Sequence, residues 1–383
     1  MAKGGPTMRI AVDAVPLLHR RPTGIQNHAR GICRALATIG GQEYVLVYEQ
    51  SLQQWEEFDD GFARSLGPAW TLTAAASPGP TAALARRIWE GWTLPRLLRR
   101  LGADVYYSPT TRGPTRGRVG GAVTIHDLAQ EAAGVVSAPP AAVVRLARRS
   151  RGIFAVSDAT ARDIQRLLHV EPERIATIYN GPALGIARRD AEACRPLCGQ
   201  LRLAPGRFLL CVGDENWRRR YDLLWQAMEA HWAAGRLADV RVVFVGRQDW
   251  RESNLSRLVG GGSHVDRAVF LSGVSDGDLS VLYSSALATV LPTEAEGFGM
   301  PAVEAMVCDC PVLCSDIPVL REVAGEAARY FPLAVEALSQ AVLALESDQS
   351  LRGELVRMGR EQAKRYAWEE SARRVLATLE RLK

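Results

Sequence analysis

The chain has 383 residues, 47% hydrophobic and 23% charged, with a formal net charge of +5. That length suggests about two domains, the apolar share argues against disorder, and the mild charge does not demand a nucleic-acid partner. No apolar run reaches the ~18 residues of a membrane-spanning helix, and residues 1–7 lack the apolar stretch of a signal peptide.

In chain order, residues 8–15 (MRIAVDAV) read as a buried parallel strand. A loop holding Thr23 and Gly24 follows, then an amphipathic helix over 26–39 with Ile32, Ala35, Leu36 and Ile39 at helical spacing. Residues 43–48 form a second strand, 50–76 are poorly patterned, and 77–81 are a Pro/Gly-rich break. Residues 82–101 read as a helix broken near Pro95 and rich in arginine: Arg86, Arg87, Arg96, Arg99 and Arg100. Strands follow at 104–108 and 122–125, the second running directly into His126-Asp127-Leu128. A second basic helix, 141–151, carries Arg145, Arg148, Arg149 and Arg151. Strand 153–157, helix 158–168 and strand 174–178 close this half.

Residues 183–206 read as a connection and hinge. A new strand, 207–212, leads into GDENWRRRYDLL with three adjacent arginines, Arg218 to Arg220. Strands follow at 240–246 and 268–271, the latter before SGVSDGDLSVLY. Asp276-Gly277-Asp278 has the form of a metal-binding D-x-D, but Ser275 and the aspartates suit a helix start better. The chain closes with helices at 335–345, 349–366 and 369–382. Seven cysteines, at 33, 194, 198, 211, 308, 310 and 314, show no zinc spacing and read as buried free thiols in a reducing, cytoplasmic setting.

The most informative stretch is residues 291–332. A short apolar strand, 286–291, enters PTEAEGFGMPAVEAM, where Glu296 and Glu304 flank Gly297-Phe298-Gly299. Pro301 suits a helix start, which leaves N–H donors near Gly299 and Met300 for an anion, with Glu304 in the first turn. The two carboxylates suit sugar hydroxyls. Taken alone, the pair is equally a helix cap and a surface glutamate.

This stretch, with its continuation CPVLCSDIPVLREVAGEAARYF, closely resembles the donor-site motif of retaining glycosyltransferases of family 4. The likeness extends over residues 8–383: the opening glycine loop, TIHDL at 124–128, the basic loop at 218–219, and Tyr366-Ala367-Trp368-Glu369 before the last helix. It implies an α/β GT-B fold, two Rossmann-like domains facing across a cleft, over residues 8–183 and 200–366. Residues 367–383 then form a helix crossing back to the N-terminal domain.

The resemblance further implies a hexosyltransferase that moves sugar from a nucleoside-diphosphate sugar, a substrate and not a cofactor, without a metal and with retained configuration. Glu296, Arg219 and His126 would be catalytic. Gly24, Arg218, Val274, Gly297, Phe298, Gly299, Met300 and Glu304 would bind the donor. The loop type resembles mannosyltransferases of polysaccharide assembly, which favours GDP-mannose as donor. The acceptor would be a saccharide or a lipid-linked saccharide, and the arginine-rich helices suit an anionic membrane surface. That places the protein in the cytoplasm or peripherally on the inner face of the membrane. Two departures, Asp309 in place of a glycine and Asp214 beside the phosphate loop, motivate the alternative of a catalytically silent homologue acting as a binding or scaffold subunit. No G-x-G-x-x-G follows a predicted strand, which disfavours a dinucleotide oxidoreductase.

Overall fold

The computed structural model describes residues 7–77, 81–247 and 249–383. The start of the chain and most of the Pro/Gly-rich break predicted at 77–81 lie outside them. The chain divides into two units: Met1–Gly181 with Ala367–Lys383, and Pro182–Tyr366.

The first unit is built on seven parallel strands: β1 (Arg9–Asp13), β2 (Glu43–Glu49), β3 (Trp70–Ala75), β4 (Val105–Ser108), β5 (Gly120–Ile125), β6 (Gly152–Ala155) and β7 (Ile175–Thr177). Their order is β3-β2-β1-β4-β5-β6-β7. Central strands such as β2, EYVLVYE, are apolar on both faces because helices cover both sides. On one face the helix Gly24–Ile39 and the final helix Trp368–Leu382 pack together, and Trp368, Ala372, Val375 and Leu379 join the core of Ile10, Val12, Ile32 and Leu36. The Trp368 indole lies against the backbone of Gly31 and Gly181; a Cβ on Gly181 would stand 2.7 Å from its Nε1.

The second unit carries β8 (Phe208–Val212), β9 (Arg241–Gly246), β10 (Ala268–Ser272), β11 (Ala288–Leu291), β12 (Val312–Ser315) and β13 (Ala328–Phe331). They are parallel in the order β10-β9-β8-β11-β12-β13. Each sheet therefore reverses its winding once, between β1 and β4 and between β8 and β11. In open α/β sheets, ligands bind outside the carboxyl ends of the strands at such a reversal.

Four local readings need correction. β3 lies in the stretch read as poorly patterned; its Trp70-x-Leu72-x-Ala74 alternation is the signal. The interruption near Pro95 is a widened turn, Trp89–Thr93, between helices Ala82–Ile88 and Leu94–Arg100. Pro95 has no N–H for the preceding turn, and the carbonyl of Glu90 accepts instead from the N–H of Thr115 at 2.8 Å. The supposed hinge contains a helix, Ala191–Gln200, seated on the second unit through Cys194, Cys198 and Val281. Helix Met300–Val307 starts one residue before Pro301, which puts Glu304 in its second turn. All seven cysteines are buried and unbridged. Among the described residues no helix is long and apolar enough to cross a membrane.

Candidate active site

In the second unit the reversal point is furnished by the loops that leave β8 and β11. The first loop opens at Gly213, whose φ of +127° is costly for any residue with a side chain. A Cβ there would also stand 3.3 Å from Arg219 Nη2, so the glycine makes room for that guanidinium. The loop is pinned from several sides. Glu215 accepts from the N–H groups of Asn254 (3.0 Å) and Leu255 (3.1 Å), capping the helix Asn254–Gly260. Asn216 accepts from the Arg218 N–H at 3.2 Å.

The second loop is laced to the first. Arg220 N–H donates to the Pro292 carbonyl at 2.7 Å, and Glu294 N–H to the Arg218 carbonyl at 2.9 Å. Ser315 Oγ, at the end of β12, accepts from Thr293 N–H at 2.7 Å and donates to Leu291 at 3.1 Å. This lacing brings three side chains together that lie far apart in the chain. Arg219 Nη1 stands 2.9 Å from Glu296 Oε1, and Arg218 Nη2 stands 3.9 Å from Glu296 Oε2. The side chains of Arg219 and Glu296 are only 9% and 6% exposed.

The Arg219–Glu296 pair is matched in charge but not in direction. Neither Nη1 nor Oε1 makes a well-oriented hydrogen bond among the described residues. Buried polar atoms almost always have such partners, and atoms that lack them at a sheet reversal are suited to a bound ligand. Burial, the largest influence, would lower the Arg219 pKa, but the Glu296 carboxylate together with Tyr221, Cys211 and Tyr283 offsets this, and the pKa is raised above that of a free arginine. The third arginine faces elsewhere: Arg220 is held by Asp222 (2.9 and 3.0 Å) and Glu294 (3.1 Å).

Gly297, Phe298, Gly299 and Met300 form the turn into the helix Met300–Val307. Gly299 precedes the first helical residue with a φ of +96°, which favours glycine. The Phe298 ring is buried edge-on against Tyr366 at 5.5 Å, so it offers a ligand its backbone rather than its ring. Glu304 is no surface glutamate. It is buried, with Oε1 accepting from Ala183 N–H (3.2 Å) and Oε2 from Tyr283 O–H (2.9 Å). Each oxygen keeps lone-pair capacity for a further donor.

Burial raises the Glu304 pKa, against the lowering effect of its two hydrogen bonds. A carboxyl whose folded-state pKa is raised contributes stability in full below its unfolded pKa and loses it as pH rises through the folded value. Glu304→Gln stays neutral throughout. Its stability relative to wild type should therefore climb from the ordinary glutamate range upward, by at most about 1.4 kcal/mol per pH unit in that window. Urea unfolding of both proteins across that pH range checks this; parallel curves would contradict it.

Val274 is half-buried just beyond β10, between Gly273 and Ser275, at the same carboxyl edge of the sheet. Ser275 Oγ accepts from Asp278 N–H at 3.1 Å, so the D-x-D forms the first turn of helix Asp276–Ser285. The two departures also have structural roles. Asp309 adopts the left-handed φ of +59° that glycine would take freely, and its carboxylate is clasped by Arg360 (2.6 and 2.7 Å) and Arg188 (2.5 Å). Asp214 accepts from the Arg247 N–H at 2.5 Å, tying the first loop to the end of β9.

The first unit has its own group of polar side chains at the β1–β4 reversal, most of it without a local signal in the sequence. Asp13, buried at the end of β1, accepts from Ser108 Oγ (3.2 Å) and Thr110 Oγ1 (3.4 Å) and faces Arg112 Nε (3.6 Å). Its trace in the sequence is a carboxylate closing an otherwise apolar strand. His126, directly after β5, donates from Nε2 to the Pro109 carbonyl at 2.9 Å. His28 meets it edge-on, with ring centroids 4.8 Å apart, and donates from Nδ1 to Asn180 Oδ1 at 2.7 Å. That leaves His28 Nε2 an acceptor with no partner among the described residues. Burial lowers both histidine pKa values, and the proximity of His126 lowers that of His28 further, which favours the neutral form of both rings. Gly24 is the first residue of the helix that carries His28; Gln26 Oε1 accepts from the preceding Thr23 N–H at 2.9 Å.

Residues 201–364 match the family described as Glycosyl transferases group 1, and residues 22–183 match Glycosyltransferase Family 4. The chain belongs to these glycosyltransferases. It is similar to O-antigen chain mannosyltransferase B of Escherichia coli, with 32% identity over 57% of each chain. It is also similar to the serotype-specific mannosyltransferase WbdA of Escherichia coli, with 28% identity over 61% of this chain and 29% of that one. The match thus spans little more than half the length of the first relative and less than a third of the second. Sucrose-phosphate synthase from Thermosynechococcus elongatus shares the fold, with a TM-score of 0.78 at 18% identity over 98% of this chain and 99% of that one. The family's GT-B architecture of two parallel-sheet α/β units is the one described above.

Proposed function

We propose that this glycosyltransferase moves a hexosyl group from a nucleoside-diphosphate sugar to a saccharide or a lipid-linked saccharide, with retained anomeric configuration and without a metal. The observation that carries the reading is the buried Arg219–Glu296 pair at the β8–β11 reversal, with unspent hydrogen-bonding atoms on both partners. The mannosyltransferase relatives favour GDP-mannose as the donor.

The chemistry asks for charge management. The bond from the anomeric carbon to the diphosphate oxygen breaks, the electron pair leaves with the diphosphate, and the sugar becomes oxocarbenium-like. Arg218, Arg219 and the N–H groups at the start of the Met300 helix supply positive potential to the departing anion. Glu296 meets the positive anomeric centre or holds a donor-sugar hydroxyl, and Glu304 takes the ribose hydroxyls. The acceptor oxygen bonds to the anomeric carbon on the face the diphosphate leaves, and the acceptor's proton passes to a phosphate oxygen. His126 and Gly24 are assigned by likeness to the donor sugar and the phosphates, and Val274 to the base.

The test is a transfer assay with GDP-mannose, UDP-glucose and dTDP-glucose as donors, with and without chelator. Product configuration is read by proton NMR, alongside thermal shifts with each nucleoside diphosphate. Chelator-insensitive release of GDP with an α-linked product supports the reading. A nucleotide-induced shift without transfer from any donor would favour a silent binding subunit; a β-linked product would refute retention.

A further inference from the structure

The first unit contains a cavity of about 520 Å³ lined by Tyr106, Val123 and Leu146 as its apolar floor and by four arginines, Arg116, Arg118, Arg149 and Arg151. That volume lies within the range of small-molecule sites. Its position separates it from the groups described above. Gly120 opens β5 and lines the cavity, whereas His126 follows the last residue of β5. At ~3.3 Å per residue the Gly120 end of the cavity lies about 20 Å from His126, at the amino edge of the sheet, and its floor at Val123 about 10 Å.

Some arginines of this unit are ion-paired and others are not. Arg9, Arg86, Arg112 and Arg166 each face a carboxylate, on Glu43, Glu90, Asp13 and Asp163. None of the four cavity arginines pairs with a carboxylate among the described residues, and no acidic side chain lines the cavity. Two of them are fixed by backbone carbonyls: Arg149 donates to Gly117 at 3.0 Å and Arg151 to Leu382 at 3.0 Å. Gly117 has a φ of +104°, so the turn that receives Arg149 is built for glycine. Arg116 lies 4.9 Å over the ring of Trp92, which is 50% exposed. Two of the four exposed guanidinium forks are thus held in place, and none has a carboxylate counter-ion among the described residues. That is the donor set for a planar-fork contact to phosphate, and the apolar floor suits the remainder of an ester.

We propose that this cavity binds a phosphate ester, at a site independent of the Arg219–Glu296 centre. The phosphate can come from a soluble metabolite or from a phospholipid headgroup, and the test separates the two. Wild type, Arg116→Ala/Arg118→Ala and Arg116→Lys/Arg118→Lys are compared in two measurements. One is calorimetric titration with glycerol 3-phosphate. The other is sedimentation with vesicles of phosphatidylglycerol and phosphatidylcholine, against phosphatidylcholine alone. The expected result is saturable, salt-sensitive binding by wild type, at least about tenfold weaker in the alanine variant and partly kept in the lysine variant. Thermal shifts with nucleoside diphosphates should be unchanged, which also shows that the variants fold. Binding of glycerol 3-phosphate identifies a soluble ester; binding of the anionic vesicles alone identifies a headgroup. No binding of either by wild type, or equal binding by the alanine variant, overturns the proposal.

Discussion

Replacing Arg219 with alanine is expected to damage the protein in two separable ways. It leaves the buried Glu296 carboxylate with only the more distant Arg218 at 3.9 Å. Breaking a buried pair from one side costs about 3–5 kcal/mol, and Arg218 holds the loss toward the lower end. In the role proposed for Arg219 it also removes a donor to the leaving diphosphate, which typically costs ~10²–10³ in rate. The double variant Arg219→Ala/Glu296→Gln distinguishes the two effects. With no uncompensated charge left, its urea midpoint should return most of the way to wild type while transfer stays slow. Arg219→Lys keeps the charge but not the planar fork, and should fall between. An Arg219→Ala enzyme that transfers sugar at the wild-type rate would mean the centre has been misplaced.

The second large effect concerns Gly31. It lies inside the helix Gly24–Ile39, where helix propensity alone predicts that alanine would stabilise by about 1 kcal/mol. The packing predicts the opposite. A Cβ on Gly31 would fall within the indole of Trp368, and overpacking of this kind costs about 1–3 kcal/mol, occasionally more. Because the overlap is with a rigid ring wedged between two glycines, Gly31→Ala should lose about 2 kcal/mol net. At ~2–4 °C per kcal/mol for a unit of this size, the melting temperature should drop by roughly 4–8 °C. Trp368→Leu, itself destabilising, should tolerate Gly31→Ala with little further loss, a coupling that additive effects cannot give. A higher melting temperature for Gly31→Ala would show that propensity wins.

Gly31 and Glu296 illustrate how legibility was divided. Strands such as residues 8–15 and 207–212, and the order strand, glycine turn, helix around Glu296, follow from local pattern. The parallel sheets follow from the alternation of such units. What pattern could not show is partnership across long separations. Nothing near Glu304 in the chain signals Ala183 and Tyr283, which turn it from a helix-surface residue into a buried acceptor. Nothing near Asp309 signals Arg188 and Arg360, which hold a non-glycine residue in a left-handed turn. Asp13 and His28 carry no local signal for the same reason: each looks ordinary in its own element, and only the sheet order brings Ser108, Arg112 and His126 to them. Helix Ala191–Gln200 is hidden in the sequence by its proline at 196, which composition reads as a loop.

The split of the first unit between residues 1–181 and 367–383 has a consequence for biogenesis. Ribosomes release a chain from its amino end, and domains generally mature in that order. Here the second unit, residues 182–366, is contiguous and finished first. The amino-terminal half emerges earlier but waits, with Ile32 and Leu36 beside a gap that Trp368, Ala372, Val375 and Leu379 will fill. For about half of its synthesis the nascent protein therefore shows an apolar groove to whatever is nearby. A chain cut off after Tyr366 would leave that groove open permanently.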